Sequence, residues 1–162
     1  MSEIERLTRL LRESADPANP TAEELRDIVT RIQTVAVVGL SRDPMKAARR
    51  VPSYLAAKGM EVLPVNPFAE RILGRPSRNR LEEVDEPLDL VLVFRPSEEA
   101  GAVLASAAAR PENPVIWLQE GIQADSEARR ARAEHRIVVQ DLCIFKVHRS
   151  LEGSFPAAFP RR

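Results

Sequence analysis

The segment Gly39-Leu40-Ser41-Arg42-Asp43-Pro44 places a glycine, a hydroxyl and a guanidinium within four residues, and Lys46, Arg49 and Arg50 follow at once. Together these groups suit the holding of an anion: the N–H groups of a tight turn, a side-chain hydroxyl donor, and cations that fork onto phosphate oxygens. The segment departs from the dinucleotide pattern G-x-G-x-x-G, whose second glycine lets a pyrophosphate approach the backbone. Only Gly39 is present, and Ser41 takes the second position. The same residues also fit a plain turn, in which Gly39 permits the bend and Ser41 caps it.

Four other short segments carry polar groups of interest. Asn66-Pro67 stands where NAD enzymes place an Asp or Glu that accepts from the ribose 2′-OH. An amide supplies no such charge and Pro67 no backbone donor, which counts against NAD and suits an adenosine whose ribose already carries phosphate. Phe94-Arg95 can stack on a base and pair with a phosphate, or be a core ring and a solvated charge; Ser97 behind them is placed to cap a helix. Gln119 and Gly121 follow Trp117, which reads as core. Cys143 sits among Leu142, Ile144 and Phe145, the setting of a buried thiol beside a site rather than of a nucleophile. Asp141, Cys143 and His148 lack zinc spacing. Neither His135 nor His148 has a recognisable nucleophile or base beside it. No catalytic residue and no metal ligand is assigned.

These segments need elements to bring them together. "TVAVVG" (34–39), "MEVLPV" (60–65), "LDLVLVF" (88–94), "PVIWLQ" (114–119) and "RIVVQ" (136–140) are apolar runs of strand length. Pro64 is expected to interrupt the second of them. Helical spacing recurs at 47–58, 98–109 and 124–135, with Gly59 placed as a helix C-terminal glycine. The stretch 68–87 is irregular, with one short helix around Leu81–Val84. Alternating strands and helices predict a doubly wound α/β domain with a mainly parallel five-stranded sheet. Its ligand crevice then lies at the C-terminal ends of the strands, at 39–46, 66–68, 94–97, 119–122 and 140–143. Two amphipathic helices precede the sheet, one over 3–13 and one after Thr21, whose partner Glu24 completes a capping box. The expected organisation is a helical extension over 1–31, the α/β domain over 32–151, and an irregular tail over 152–162.

The composition sets outer limits. The 162 residues are 44% hydrophobic and 30% charged, with a formal net charge of zero; no overall basic field recruits nucleic acid or a membrane surface. Arginines outnumber lysines 21 to 3, so phosphate recognition has to be argued site by site. A single cysteine allows no intrachain disulfide and fits a reducing compartment. The first residues are charged and periodic, unlike a signal peptide, and no apolar run approaches a membrane span. A cytoplasmic protein is expected.

Six segments in series, "VAVVGLSRDP", "VPSYLAAKGMEVLPVNP", "ILGRP", "DLVLVFRPSEE", "WLQEGI" and "DLCIFKVH", resemble the small stand-alone CoA-binding proteins. The domain of that family is Rossmann-like and similar to the CoA-binding domain of the succinyl-CoA synthetase α chain. The resemblance runs from about Ile32 to Leu151. It implies a CoA diphosphate on the turn with Gly39 and Ser41, an adenine end near Asn66-Pro67 and Phe94-Arg95, and a pantetheine arm toward Gln119, Gly121 and Cys143. Many relatives carry Ser or Gly and a Tyr where this chain has "KAARRV", so that Lys46, Arg49 or Arg50 would supply the phosphate contacts. Relatives often read Asp-Arg-Cys where this chain has Asp-Leu-Cys.

The leading expectation is a non-catalytic CoA or acyl-CoA binding module, since there is no room for the second domain that the synthetase α chain needs. Two alternatives stand beside it: an NAD(P)-dependent oxidoreductase, and a redox protein forming a mixed disulfide between Cys143 and CoA. A homodimer or a protein partner is left open.

Overall fold

The computed structural model describes residues 1–155. Five parallel strands form one sheet: β1 (Thr34–Val38), β2 (Glu61–Val65), β5 (Leu90–Val93), β6 (Val115–Leu118) and β7 (Val138–Val139), in the spatial order β2-β1-β5-β6-β7. A two-residue hairpin, β3 (Arg71–Ile72) and β4 (Arg75–Pro76), hangs beside β2. The helices are α1 (Glu3–Glu13), α2 (Ala22–Arg31), α3 (Ala47–Ala57), α4 (Ser97–Ala108), α5 (Asp125–Ala133) and α6 (Ile144–Ser150), with a 3-10 turn at Leu81–Glu83.

Alternate residues of each strand feed two separate cores, which is why the strands read as unbroken apolar runs. Val35, Val37, Leu90, Leu92 and Trp117 face a core closed by α3 and α6. Ala36, Val38, Val91, Val93, Ile116 and Leu118 face one closed by α4, α5 and the 3-10 turn. The domain is therefore the doubly wound, Rossmann-like α/β fold that the strand–helix rhythm predicts.

The N-terminal helices join the first core through Leu7, Leu25, Ile28 and Val29. Both begin with a full capping box, Ser2 with Glu5 and Thr21 with Glu24. The linker between them seals the β7 edge. Asn19 accepts from the Gln140 amide (2.8 Å) and donates to its carbonyl (2.9 Å), so one side chain plays the part of a neighbouring strand. Arg132 Nη2 covers the Val138 carbonyl at 2.7 Å.

Three expectations change. Pro64 does not interrupt β2, which pairs with β1 over all five residues. β2 is an edge strand, and Pro64 turns outward, where its carbonyl accepts from Arg78 N at 3.1 Å and no partner strand needs its missing N–H. The helix after β5 starts at Ser97 with Pro96 as its cap residue, and the Ser97 hydroxyl accepts from Gln123 N at 3.1 Å instead of capping. A helix that no expected element covers, α6, follows β7 and carries His148 buried. The irregular tail expected over 152–162 falls from residue 156 onward outside the described residues; Glu152–Ser154 form a 3-10 turn.

Candidate functional site

Counting only the sheet strands in chain order, the order is 2-1-3-4-5, and the switch point falls between β1 and β5. There the chain leaves adjacent strands toward opposite faces, which opens a crevice. A cleft of about 750 Å³ lies at this place, lined by Gly39, Ser41 and Lys46 from the first turn and by Asn66, Pro67 and Phe68 after β2. Phe94, Arg95 and Pro96 after β5 also line it, as do residues of α4 and the segment 79–82.

Gly39 is required by geometry. Its φ is +91°, and a Cβ there would stand 2.9 Å from the Phe94 carbonyl oxygen. The two strand ends therefore meet almost backbone to backbone, and the turn passes directly above the end of β5.

The turn is bonded to itself and to α3. Gly39 N donates to Val65 O at 2.9 Å and Ser41 N to Ala48 O at 3.0 Å. The second bond exists because α3 contains Pro52, which has no N–H to offer the carbonyl four residues before it. Ser41 Oγ accepts from Asp43 N at 3.0 Å, which leaves the hydroxyl proton free to donate. Lys46 occupies the cap position of α3, and no side chain among the described residues caps that helix. The donors on the residues that line the cleft are thus the Ser41 hydroxyl and the uncapped first turn of α3. The positive end of the α3 dipole and the Lys46 ammonium add charge of the sign that suits an anion.

Asn66 braces this arrangement. Its Nδ2 donates to Leu40 O at 2.9 Å and its Oδ1 accepts from Phe68 N at 2.7 Å. Both ends of the amide are engaged, so Asn66 shapes the cleft wall by tying the turn to the end of β2. Arg95 reaches Glu99 one helical turn into α4 in an exposed ion pair, the kind that contributes little in water.

The structure divides the expected residues. Gly39, Ser41, Lys46, Asn66, Pro67, Phe94 and Arg95 converge on the cleft. Leu40 is fully buried and does not line the cleft; its carbonyl accepts from Asn66 Nδ2. Arg42 and Arg50 are exposed, while Arg49 Nη1 donates to the Arg42 carbonyl at 3.2 Å, and none of the three lines the cleft. Gln119, Gly121 and Cys143 lie farther along the same sheet edge, at the ends of β6 and β7. Gln119 is buried, donating to Cys143 Sγ at 3.0 Å and accepting from Ile144 N at 3.2 Å. Gly121 N donates to Asp141 Oδ1 at 2.6 Å. Phe68, within the expected strand end 66–68, also lines the cleft, as do Asn79, Arg80, Leu81 and the α4 face Ala102–Val103–Ser106, which sequence reading passes over. The only local signal is the helical spacing of Glu99, Ala102, Val103 and Ser106, which puts them on one stripe.

An open parallel sheet with a glycine turn and an uncapped helix start at its switch point defines a Rossmann-like domain. Residues 33–149 match the CoA binding domain family, and the chain belongs to it. It is 35% identical over 130 residues to the uncharacterized protein YneT of Bacillus subtilis, covering 80% of this chain and 96% of that one. A solved structure from Thermus thermophilus is 35% identical with a TM-score of 0.74, covering 80% of this chain and 97% of that chain. A hypothetical protein from Pyrococcus horikoshii superposes with a TM-score of 0.77 at 28% identity, covering 86% of this chain and 98% of the other.

Proposed function

We propose that the protein is a cytoplasmic binding module for CoA or acyl-CoA without catalysis of its own. The CoA diphosphate sits on the Gly39–Lys46 turn, held by the Ser41 hydroxyl, the free amides of the turn and of the α3 start, and Lys46. The pantetheine arm crosses the strand ends toward Gly121, with Gln119 and Cys143 beneath it. The observation that carries this reading is the uncapped start of α3. It closes a turn whose glycine is pressed against the Phe94 carbonyl, and it opens on a cleft of ligand size. Membership of the CoA binding domain family selects CoA among the anions such a site accepts. On this reading the chain supplies binding and orientation only.

Calorimetric titration with CoA, dephospho-CoA, NADH and NADPH tests this. CoA should bind tightest, and dephospho-CoA about 10–150-fold more weakly, the worth of one lost charge-assisted contact. Tighter binding of a nicotinamide dinucleotide would sink the proposal.

A further inference from the structure

The outer face of α4 is unlike that of α1, α2 or α5. Exposed charges stud α1 (Glu5, Arg9, Arg12), α2 (Glu23, Asp27, Arg31) and α5 (Asp125, Arg129, Arg130). α4 carries none from Gly101 to its cap residue Ala109, although Ala102, Ala105 and Ala109 are exposed. These three follow helical spacing and form one apolar stripe on the solvent side. A helix apolar on every side is ordinarily buried, and among the described residues nothing covers this stripe. Beside it, α4 and α5 flank a groove of about 210 Å³. Ala105, Ala108 and Ala109 line its α4 side, and Arg130 and Glu134 its α5 side. Glu127 lies against Gly101, its Oε1 only 2.6 Å from where a Cβ would stand. Arg130 and Glu134 are exposed, stand about one helical turn apart, and form no ion pair among the described residues.

We propose that this face receives a second copy of the chain, packed α4 and α5 against α4 and α5 about a twofold axis. Alanine side chains let two helices approach closely, because the distance between helix axes is set by the side chains at the contact. The charges select a copy of the same chain as the occupant. In a twofold contact each patch must complement itself. An antiparallel copy whose axis passes between Arg130 and Glu134 sets each Arg130 against the Glu134 of the other chain, so both unpaired charges are matched at once. The contact covers an apolar surface that water otherwise meets. The proposal stands apart from the CoA reading. It nevertheless puts the second copy beside the cleft, since Ala102 belongs both to the stripe and to the cleft wall.

Analytical ultracentrifugation of the full chain, from micromolar to millimolar concentration, tests this. The wild type should sediment as a dimer in reversible equilibrium with monomer. Ala105→Arg sets a cation in the middle of the contact, at an exposed position where arginine is nearly as good a helix former as alanine. It should raise the dimer dissociation constant roughly a hundredfold, with circular dichroism unchanged; Ala109→Glu should act in the same direction. Arg130→Glu and Glu134→Arg should each weaken self-association about tenfold, because each sets like charges together. An equimolar mixture of those two variants should associate with wild-type affinity, since opposite charges then meet across the axis. Should Ala105→Arg fail to fold, Ala109→Glu and the exposed α5 pair decide the matter. A wild type that stays monomeric throughout overturns the proposal. So does a dimer that survives both alanine substitutions, and so does a mixture of the charge variants that associates no better than either alone.

Discussion

The turn after β1 and the segment after β7 leave the same edge of one sheet, and their polar groups are treated in opposite ways. After β7 the polar side chains Gln140 and Asp141 are bonded within the protein. Gln140 is bonded through its backbone to Asn19, and through its side chain to Ala124 N and Asp16. Asp16, 7% exposed, also pairs with Arg132 at 3.0 Å, and Trp117 Nε1 donates to Leu142 O. After β1 the start of α3, which like those of α4, α5 and α6 has no side-chain cap, lies at the cleft, and Ser41 keeps its proton free. Buried groups left unmatched are costly, so a fold that completes one end of its sheet and leaves the other with spare donors points to the place where something else binds. The contrast also explains why strand ends alone are a coarse guide: β6 and β7 lie two and three strands from β1, roughly 10–15 Å away at the usual strand spacing.

Substitutions at each end test the contrast. The largest effect is expected from Gly39→Ala, which forces a side chain into a left-handed backbone and against the Phe94 carbonyl. Urea unfolding should show a loss of about 2–4 kcal/mol, with ligand binding impaired; a wild-type midpoint would mean that the turn relaxes freely.

The α3–α6 contact gives a pH effect of nearly the same size. Burial first, then the Lys58 charge, pushes His148 from 6.5 down to about 4, against a smaller opposite pull from Glu152. The neutral ring shares a hydrogen bond of 2.7 Å between Nδ1 and the Tyr54 hydroxyl, and stacks on Phe155. Because the folded value is depressed, the unfolded chain binds this proton first as pH falls. Stability is complete above pH 6.5 and is lost between 6.5 and about 4, by about 2–3 kcal/mol. Replacing the residue, His148→Gln, should flatten the stability curve in that window; an unchanged slope would assign it to other groups.

At the sealed edge, Asn19→Ala removes both bonds to the Gln140 backbone. The expected cost is about 1–3 kcal/mol of stability, read by thermal melting, with CoA affinity unchanged. At the open end the signs reverse. Ser41→Ala should leave stability nearly intact but weaken CoA by about 1–2 kcal/mol in titration. If each variant disturbed both properties equally, the division of labour would not hold. The smallest effect is expected for Cys143→Ser, a change within about tenfold in CoA affinity, or ~1.4 kcal/mol. Thiol-reversible capture of CoA disulfide by the wild type alone would instead give Cys143 a redox role.

The fold was legible because both sheet faces are covered, which makes each strand a bounded apolar run, and because Thr21 with Glu24 marks its helix start plainly. The α6 helix was not. It has seven residues and no side-chain cap, and its sequence "IFKVHRS" follows a cysteine in the cap position. The β3–β4 hairpin, two residues per strand, is too short to show a period. Of the site, the first turn was legible through Gly39 and Ser41. The wall formed by Arg80, Leu81, Ala102 and Val103 was not, because it depends on a crossover that brings distant segments to one cleft. Pro52 was equally silent, since its effect is to release the Ala48 carbonyl to a residue on another element.

The treatment of the two sheet rims bears on how the protein behaves when crowded. Short, valine-rich strands with bare outer edges are templates for further strands, the first step toward fibrils and amorphous precipitate. Here one rim carries a proline and two bonds to Arg78, and at the other an asparagine side chain bonds the Gln140 backbone just past β7 while a guanidinium covers the Val138 carbonyl. Each rim thus offers another copy of the chain fewer free groups on which to add a strand. On this view the linker carrying Asn19 guards solubility as well as folding, and its loss should appear first as aggregation at high concentration.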